Sequence, residues 1–205
     1  MDAATELIVV RHGETVWHAE NRYAGSSDIE LTAAGEEQAE ALGRWAATAG
    51  LTGIRCSPLM RASRTAAAAA RHTGLPAHVD DRLVEVDFGR AEGMTADEMR
   101  ERLGRVRQRF EVDPVRHHLP DGEDPTAAIA RGRAALAAAA AAHEGGRVLI
   151  VAHGTLLRLV LCSLLGVPPR SYRDVFPKVE NCRGARLRHH DGAFGLLGFN
   201  EAFQA

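Results

Sequence analysis

The stretch "ELIVVRHGE", residues 6–14, runs four apolar residues straight into Arg11, His12 and Gly13. Far along the chain "VLIVAHGT", residues 148–155, closes in the same way, with His153 and Gly154 after an apolar run. Short, uninterrupted, β-branched runs of this kind read as strands buried on both faces, the signature of a parallel sheet. The strands are expected over residues 6–10 and 147–152. In an open α/β sheet, ligands collect beyond the carboxyl ends of the strands. If the two strands are neighbours, His12 and His153 meet at one ligand. Gly13 and Gly154 would then let the backbone turn sharply away from the sheet.

Working outward, hydrophobic spacing gives the remaining elements. A helix is expected over residues 32–49, with Leu42, Trp45 and Ala49 on one face. A strand follows over 53–57, then a helix opened by Pro58 and running to His72. A third short strand is read at 77–79, and "LVEVDFG", residues 83–89, as a loop. Met99, Leu103, Val106 and Phe110 are spaced 4, 3 and 4 residues apart and predict one amphipathic helix over 95–110. Asp124 and Pro125 fit an N-cap and first helical position. The alanine tract beyond them needs no special role, because alanine is the strongest helix former. A largely buried helix over 155–165 and two strands over 185–189 and 194–199 complete the chain. Strands alternating with helices imply an α/β fold, a three-layer α/β/α sandwich around a mostly parallel central sheet. The two helices within residues 90–145 interrupt the alternation and are expected as a small lobe over the carboxyl edge. No linker divides the chain, so residues 1–205 are read as one domain.

Arg11 indicates the ligand. A guanidinium offers a planar, permanently charged fork suited to phosphate. "SPLMRASRTA", residues 57–66, sets Arg61 near the start of a helix just past a strand, again at the carboxyl edge. Two arginines and two imidazoles around one point describe a phosphoryl site with no need of a metal.

Totals narrow the alternatives. The formal net charge of the 205 residues is −2, leaving no global basic field for nucleic acid or an anionic membrane. Cys56, Cys162 and Cys182 form no CxxC pair and read as small hydrophobes of a reducing compartment. The N-terminus has no basic region before its short apolar run, so a cytoplasmic location is expected. Despite 10 histidines, there is no HExxH motif, and no P-loop, GxGxxG or GxSxG either. No metal or cofactor is expected.

The combination of "RHGETVWHAENRYAG", "SPLMRASRTA", "LVEVDFGRAEGMT", "LPDGED" and "VAHGTLLR", in this order, resembles the histidine phosphatase superfamily, which includes cofactor-dependent phosphoglycerate mutases and related phosphatases. The resemblance implies that His12 takes the phosphoryl group as a phosphohistidine and passes it to water. It implies that Arg11, Arg61 and His153 hold the phosphoryl oxygens, and that Glu85 is the general acid and then the base. Thr15, Gly25 and Thr155 are implied as substrate contacts. The chain departs from the family pattern at His18, where many relatives carry asparagine, and at Ala24, often polar in relatives. Arg116 and His117 are expected at the pocket mouth, where they would meet a second anionic group.

The expected activity is hydrolysis of a small phosphomonoester. Mutase-type transfer is the first alternative, disfavoured because such mutases are generally longer and enclose the substrate. A non-catalytic phospho-ligand binder is the second, disfavoured because His12, Glu85 and His153 are all present. The expected partner is a small-molecule phosphate ester, with oligomeric state left open.

Overall fold

A computed structural model describes residues 4–203 of the chain. Six strands form one sheet: β1 (Thr5–Arg11), β2 (Gly53–Cys56), β3 (Ala77–Val79), β4 (Arg147–Ala152), β5 (Arg183–His190) and β6 (Ala193–Ala202). Their spatial order is β3-β2-β4-β1-β5-β6. The first four are mutually parallel, while β5 runs antiparallel to both β1 and β6. The helices are α1 (Ala33–Ala46), α2 (Met60–Thr73), α3 (Ala96–Leu103), α4 (Arg105–Val112), α5 (Pro125–Ala142), α6 (Gly154–Leu164) and the short α7 (Tyr172–Val175).

Alternation along the central strands divides the core. Ile8, Val10, Leu149 and Val151 face α1 and α2, where Leu42, Ala46, Ala62, Ala66 and Ala69 meet them. Leu7, Val9, Val148 and Ile150 face the other way, against Leu136 and Ala139 of α5 and Leu156, Leu159 and Val160 of α6. The side-chain period of 2 in a strand therefore supplies both interfaces of a three-layer sandwich. Each of these side chains is at most 3% exposed, which at about 25 cal/mol per Å² makes each Val, Leu and Ile worth about 1.5–3 kcal/mol.

Three sequence expectations change in detail. The helix read over 95–110 is two helices, because Gly104 takes φ 44° and ψ −115°, a conformation open to glycine alone at little cost. The break resets the helical face: Val106 turns to solvent and Arg107 is buried instead, over the rings of Tyr23 and Phe110. Second, α5 shares its core with β1 and β4, so the part outside the sandwich is shorter than residues 90–145. Third, α2 begins at Met60, two residues after Pro58. Its first turn has no local side-chain cap; the Met60 N–H donates instead to the Asp28 carboxylate at 2.6 Å. Three other helices are capped locally, by Thr32 for α1, Thr95 for α3 and Asp124 for α5.

Candidate active site

Strand register decides the site. Arg11 and Ala152 are opposite one another at the ends of β1 and β4, so the next residues, His12 and His153, emerge side by side. Their ring centroids are 5.2 Å apart. Neither following glycine has a positive φ, so neither corner depends on a left-handed conformation. Gly13 is required for close approach: a Cβ there would lie 2.6 Å from the Gly35 carbonyl oxygen. Gly154 simply begins α6.

His12 is 5% exposed and its Nδ1 lies 2.7 Å from the Gly13 carbonyl oxygen. A carbonyl only accepts, so Nδ1 carries the hydrogen and Nε2 keeps its lone pair. Burial, then the neighbouring His153, Arg11 and Arg61, hold the His12 pKa well below the ordinary imidazole range, so the ring is neutral. His153 is fully buried and likewise held neutral, by burial first and then by Arg61 and Arg11. Among the described residues, neither of its ring nitrogens has a hydrogen-bond partner. Buried polar atoms are rarely left unpaired.

Arg61 is 0% exposed. Its Nη1 and Nη2 donate to the carbonyls of Ser27 and Gly25, each at 2.7 Å, while its buried Nε has no partner among the described residues. Gly25 thus serves through its carbonyl and does not line the cleft; a Cβ there would strike the Glu92 carboxylate and the Val86 carbonyl. Glu92 in turn accepts from the N–H groups of Ser26, Ser27 and Phe88, tying the arginine's seat to the Glu85 loop.

Arg11 is gripped by a segment that sequence reading did not single out. Its Nη1 donates to the Val179 carbonyl at 2.9 Å, and its own carbonyl accepts from Cys182 N–H at 2.9 Å. Asn181 donates to the His12 carbonyl at 2.9 Å. The turn that follows β1 is therefore locked by residues about 170 positions later in the chain. Nothing in "PKVENC", residues 177–182, signals this role beforehand. Burial lowers the Arg11 pKa to about 10, and it remains charged at neutral pH. His18 lines the cleft with its Nε2 accepting from Arg11 Nη2 and its Nδ1 2.8 Å from Thr15 Oγ1. Burial and then Arg11 push its pKa down to about 4. The imidazole at this unusual position is therefore a neutral acceptor for Arg11.

Glu85 stands where α6 begins. Its Oε2 accepts from Thr155 N–H at 2.9 Å, and its Oε1 from Leu156 N–H at 2.8 Å and Val86 N–H at 2.9 Å. The N-terminus of a helix is a natural seat for a carboxylate. The cleft over these groups measures about 270 Å³. Arg11, His12, Thr15, His18, Glu85 and Thr155 line it, and Trp17, Tyr23 and Phe88 add aromatic wall.

Arg116 and His117 do not reach the cleft. The Asp113 carboxylate accepts from the N–H groups of Val115 and Arg116, and the Asp113 carbonyl from His117 N–H. This turn seats Pro114 and Leu119 in the core and leaves Arg116 exposed. The cleft mouth carries Arg158, Arg173 and Lys178 instead. Arg158 had a signal: it is the single charged residue in an otherwise apolar helix, one turn beyond Gly154.

Among the described residues, no three metal-ligating side chains come together, and no helix is long and apolar enough to cross a membrane. Cys56, Cys162 and Cys182 are buried free thiols.

Comparisons with known proteins agree with this geometry. The chain is 37% identical over 194 residues to the probable phosphoglycerate mutase GpmB of Citrobacter koseri, covering 95% of this chain and 89% of that one. YhfR of Bacillus stearothermophilus superposes with a TM-score of 0.90 at 29% identity, covering 97% of this chain and 98% of that one. A mycobacterial glucosyl-3-phosphoglycerate phosphatase, solved in complex with VO3, gives a TM-score of 0.87 at 28% identity, covering 96% and 99%. The family model of the histidine phosphatase superfamily (branch 1) matches residues 7–202, and the chain belongs to that superfamily.

Proposed function

We propose that this protein is a phosphatase that hydrolyses small phosphomonoesters through a phosphohistidine on His12. The observation that carries the reading is a convergence of orphans. Among the described residues, both nitrogens of buried His153 and the buried Nε of Arg61 lack partners, His12 lies beside His153, and Arg11 and Arg61 act electrostatically on both rings. A tetrahedral anion between these groups would give a partner to one ring N–H of His153 and to the Nε–H of Arg61.

In the first half-reaction, His12 Nε2 attacks phosphorus and the bond to the ester oxygen breaks. Glu85, in its protonated form, gives that oxygen its proton, and the alcohol leaves. In the second, the Glu85 carboxylate takes a proton from water, whose oxygen attacks the phosphorus. The Nε2–P bond breaks and inorganic phosphate departs. Arg11, Arg61 and His153 hold the equatorial oxygens throughout. Such transfer is largely positioning and charge stabilisation, which a rigid cationic cradle provides. Thr155 contributes by fixing Glu85 through its N–H.

The names of the curated relatives favour a second reading, return of the phosphoryl group to a phosphoglycerate. One experiment separates the two. Rapid acid-free quenching with a labelled aryl phosphate should trap an acid-labile phosphoenzyme in wild type and none in His12→Ala. Release of inorganic phosphate should then outpace transfer to added phosphoglycerate. Transfer faster than release would make the protein a mutase, and equal turnover by wild type and His12→Ala would remove His12 from the chemistry.

A further inference from the structure

Residues 84–88, which carry Glu85, belong to no helix or strand. The carbonyls of such a segment must find partners elsewhere when it packs against the body of the protein. Here they find them in Arg131, one of the two charged residues of the alanine-rich α5. Its Nη1 donates to the carbonyls of Arg82 at 2.8 Å and Val84 at 2.6 Å, and its Nη2 to the carbonyl of Glu85 itself at 3.2 Å. Nε and Nη2 also donate to the two carboxylate oxygens of Glu123, each at 2.7 Å. Five acceptor atoms thus meet the five N–H groups of one guanidinium. Lysine, with three donors and no fork, could not replace it. The side chains of Arg131 and Glu123 are 18% and 20% exposed, so water has little room to take over a lost bond.

Glu123 belongs to "LPDGED", residues 119–124, a segment that helped to identify the superfamily but supplies nothing to the cleft lining. It lies instead along the back of the Glu85 loop. Glu123 N–H donates to the Asp87 carbonyl at 2.9 Å, and Arg90 N–H to the Pro120 carbonyl at 3.1 Å. The two segments approach so closely that a Cβ on Gly89 would lie 2.2 Å from the Pro120 carbonyl oxygen. Glu85 is therefore fixed at both ends. Its carboxylate is held in front by the Thr155 and Leu156 N–H groups of α6, and its backbone is held behind by α5. The Arg131 charge also bears on His153, adding to the forces that keep that ring neutral.

We propose that Arg131, seated by Glu123, is a positioning residue that sets the reach of Glu85 toward the leaving oxygen. This rests on the phosphatase reading, in which Glu85 gives that oxygen its proton. Arg131 touches no reacting atom and acts only through the Glu85 loop.

Leaving-group dependence tests it. The value of kcat/KM covers transfer to His12 and departure of the alcohol. A simple alkyl phosphate needs its leaving oxygen protonated, whereas dinitrophenyl phosphate does not. Arg131→Met should lower kcat/KM for the alkyl phosphate by ~10–10²-fold and for dinitrophenyl phosphate by less than about 3-fold, the pattern of a misplaced general acid. Glu123→Gln, which keeps one acceptor, should give a smaller loss of the same selectivity. Melting curves would establish that each variant is folded, and should Arg131→Met not fold, Glu123→Gln decides. Glu85→Gln serves as the reference and should be selective in the same sense and more strongly. Selectivity in Glu85→Gln but equal losses with both substrates in the folded Arg131 or Glu123 variant, or no loss, overturns the positioning role and leaves Glu85 as the acid. Absence of selectivity in Glu85→Gln itself overturns the acid assignment, and the positioning role with it.

Discussion

The two strand-to-histidine corners look alike in sequence and are built differently. After β1, the chain enters an irregular turn whose carbonyls and side chains are clamped by Val179, Asn181 and Cys182. His12 there has one nitrogen pinned to Gly13 and the other free at the cleft. After β4, the chain passes directly into α6, and His153 is its N-cap, sealed from solvent with both nitrogens unpaired. On the proposed reading, the first corner presents a nucleophile with a fixed tautomer. On the same reading, the second holds a buried donor whose partner is the ligand. The same three-residue pattern thus yields two chemical roles, set by what packs behind it.

Removing each imidazole should expose that difference. His12→Ala should abolish phosphoenzyme formation and lower kcat for an aryl phosphate by on the order of 10⁴–10⁶, as loss of a nucleophile does. His153→Ala should leave a phosphoenzyme that can still be trapped and lower kcat by ~10²–10³, the usual cost of one transition-state donor. His153→Gln, which retains a donor, should recover part of that loss. Equal losses and no phosphoenzyme in either variant would erase the distinction.

The glycines sharpen the comparison through stability. Gly13→Ala forces a Cβ to within 2.6 Å of a backbone oxygen of Gly35 and should cost about 1–3 kcal/mol, read as a lower denaturant midpoint. Gly154→Ala meets nothing closer than 3.5 Å, at the Arg11 side chain, and begins a helix with negative φ. It should be neutral or stabilising by up to about 1 kcal/mol.

A further difference concerns pH. His12 and His153 are held neutral in the fold, and burial is the leading cause for each. The unfolded chain protonates both below about pH 6.5, so it binds more protons there than the folded chain does. Stability should therefore fall as pH drops from about 6.5 toward the depressed folded values. His18, pushed down to about 4, adds to the same trend between those limits. The slope should reach at most about 1.4 kcal/mol per pH unit for each histidine, and His153→Gln should flatten it. Melting curves collected from pH 7 to 5 check this; a slope unchanged by His153→Gln would mean that His153 titrates normally.

Much was legible beforehand because it depends on local patterns. Apolar β-branched runs announced β1 and β4, hydrophobic spacing announced α1 and α3, and Asp124 with Pro125 announced α5. The helix boundary at Met60 was not legible, since its cap is Asp28, a residue distant in sequence. Nor was the break at Gly104, because a single glycine within a sound amphipathic pattern does not reveal its φ. Arg116 and His117 failed as pocket residues because composition marked them as loop, and loop chemistry does not say which way a turn faces. Asp113 faces it away.

Sequence alone determined the residue kinds at the site: two imidazoles, two guanidiniums and a carboxylate, each set just past a strand or in a loop. Their order along the chain also determined the superfamily. Tertiary structure decided what those groups are worth. The register of β1 on β4 brings His12 to His153, burial strips both of charge, and the late 179–182 segment fixes Arg11. Side-chain type is a local property, whereas proximity, desolvation and a fixed tautomer arise only when distant segments exclude water together.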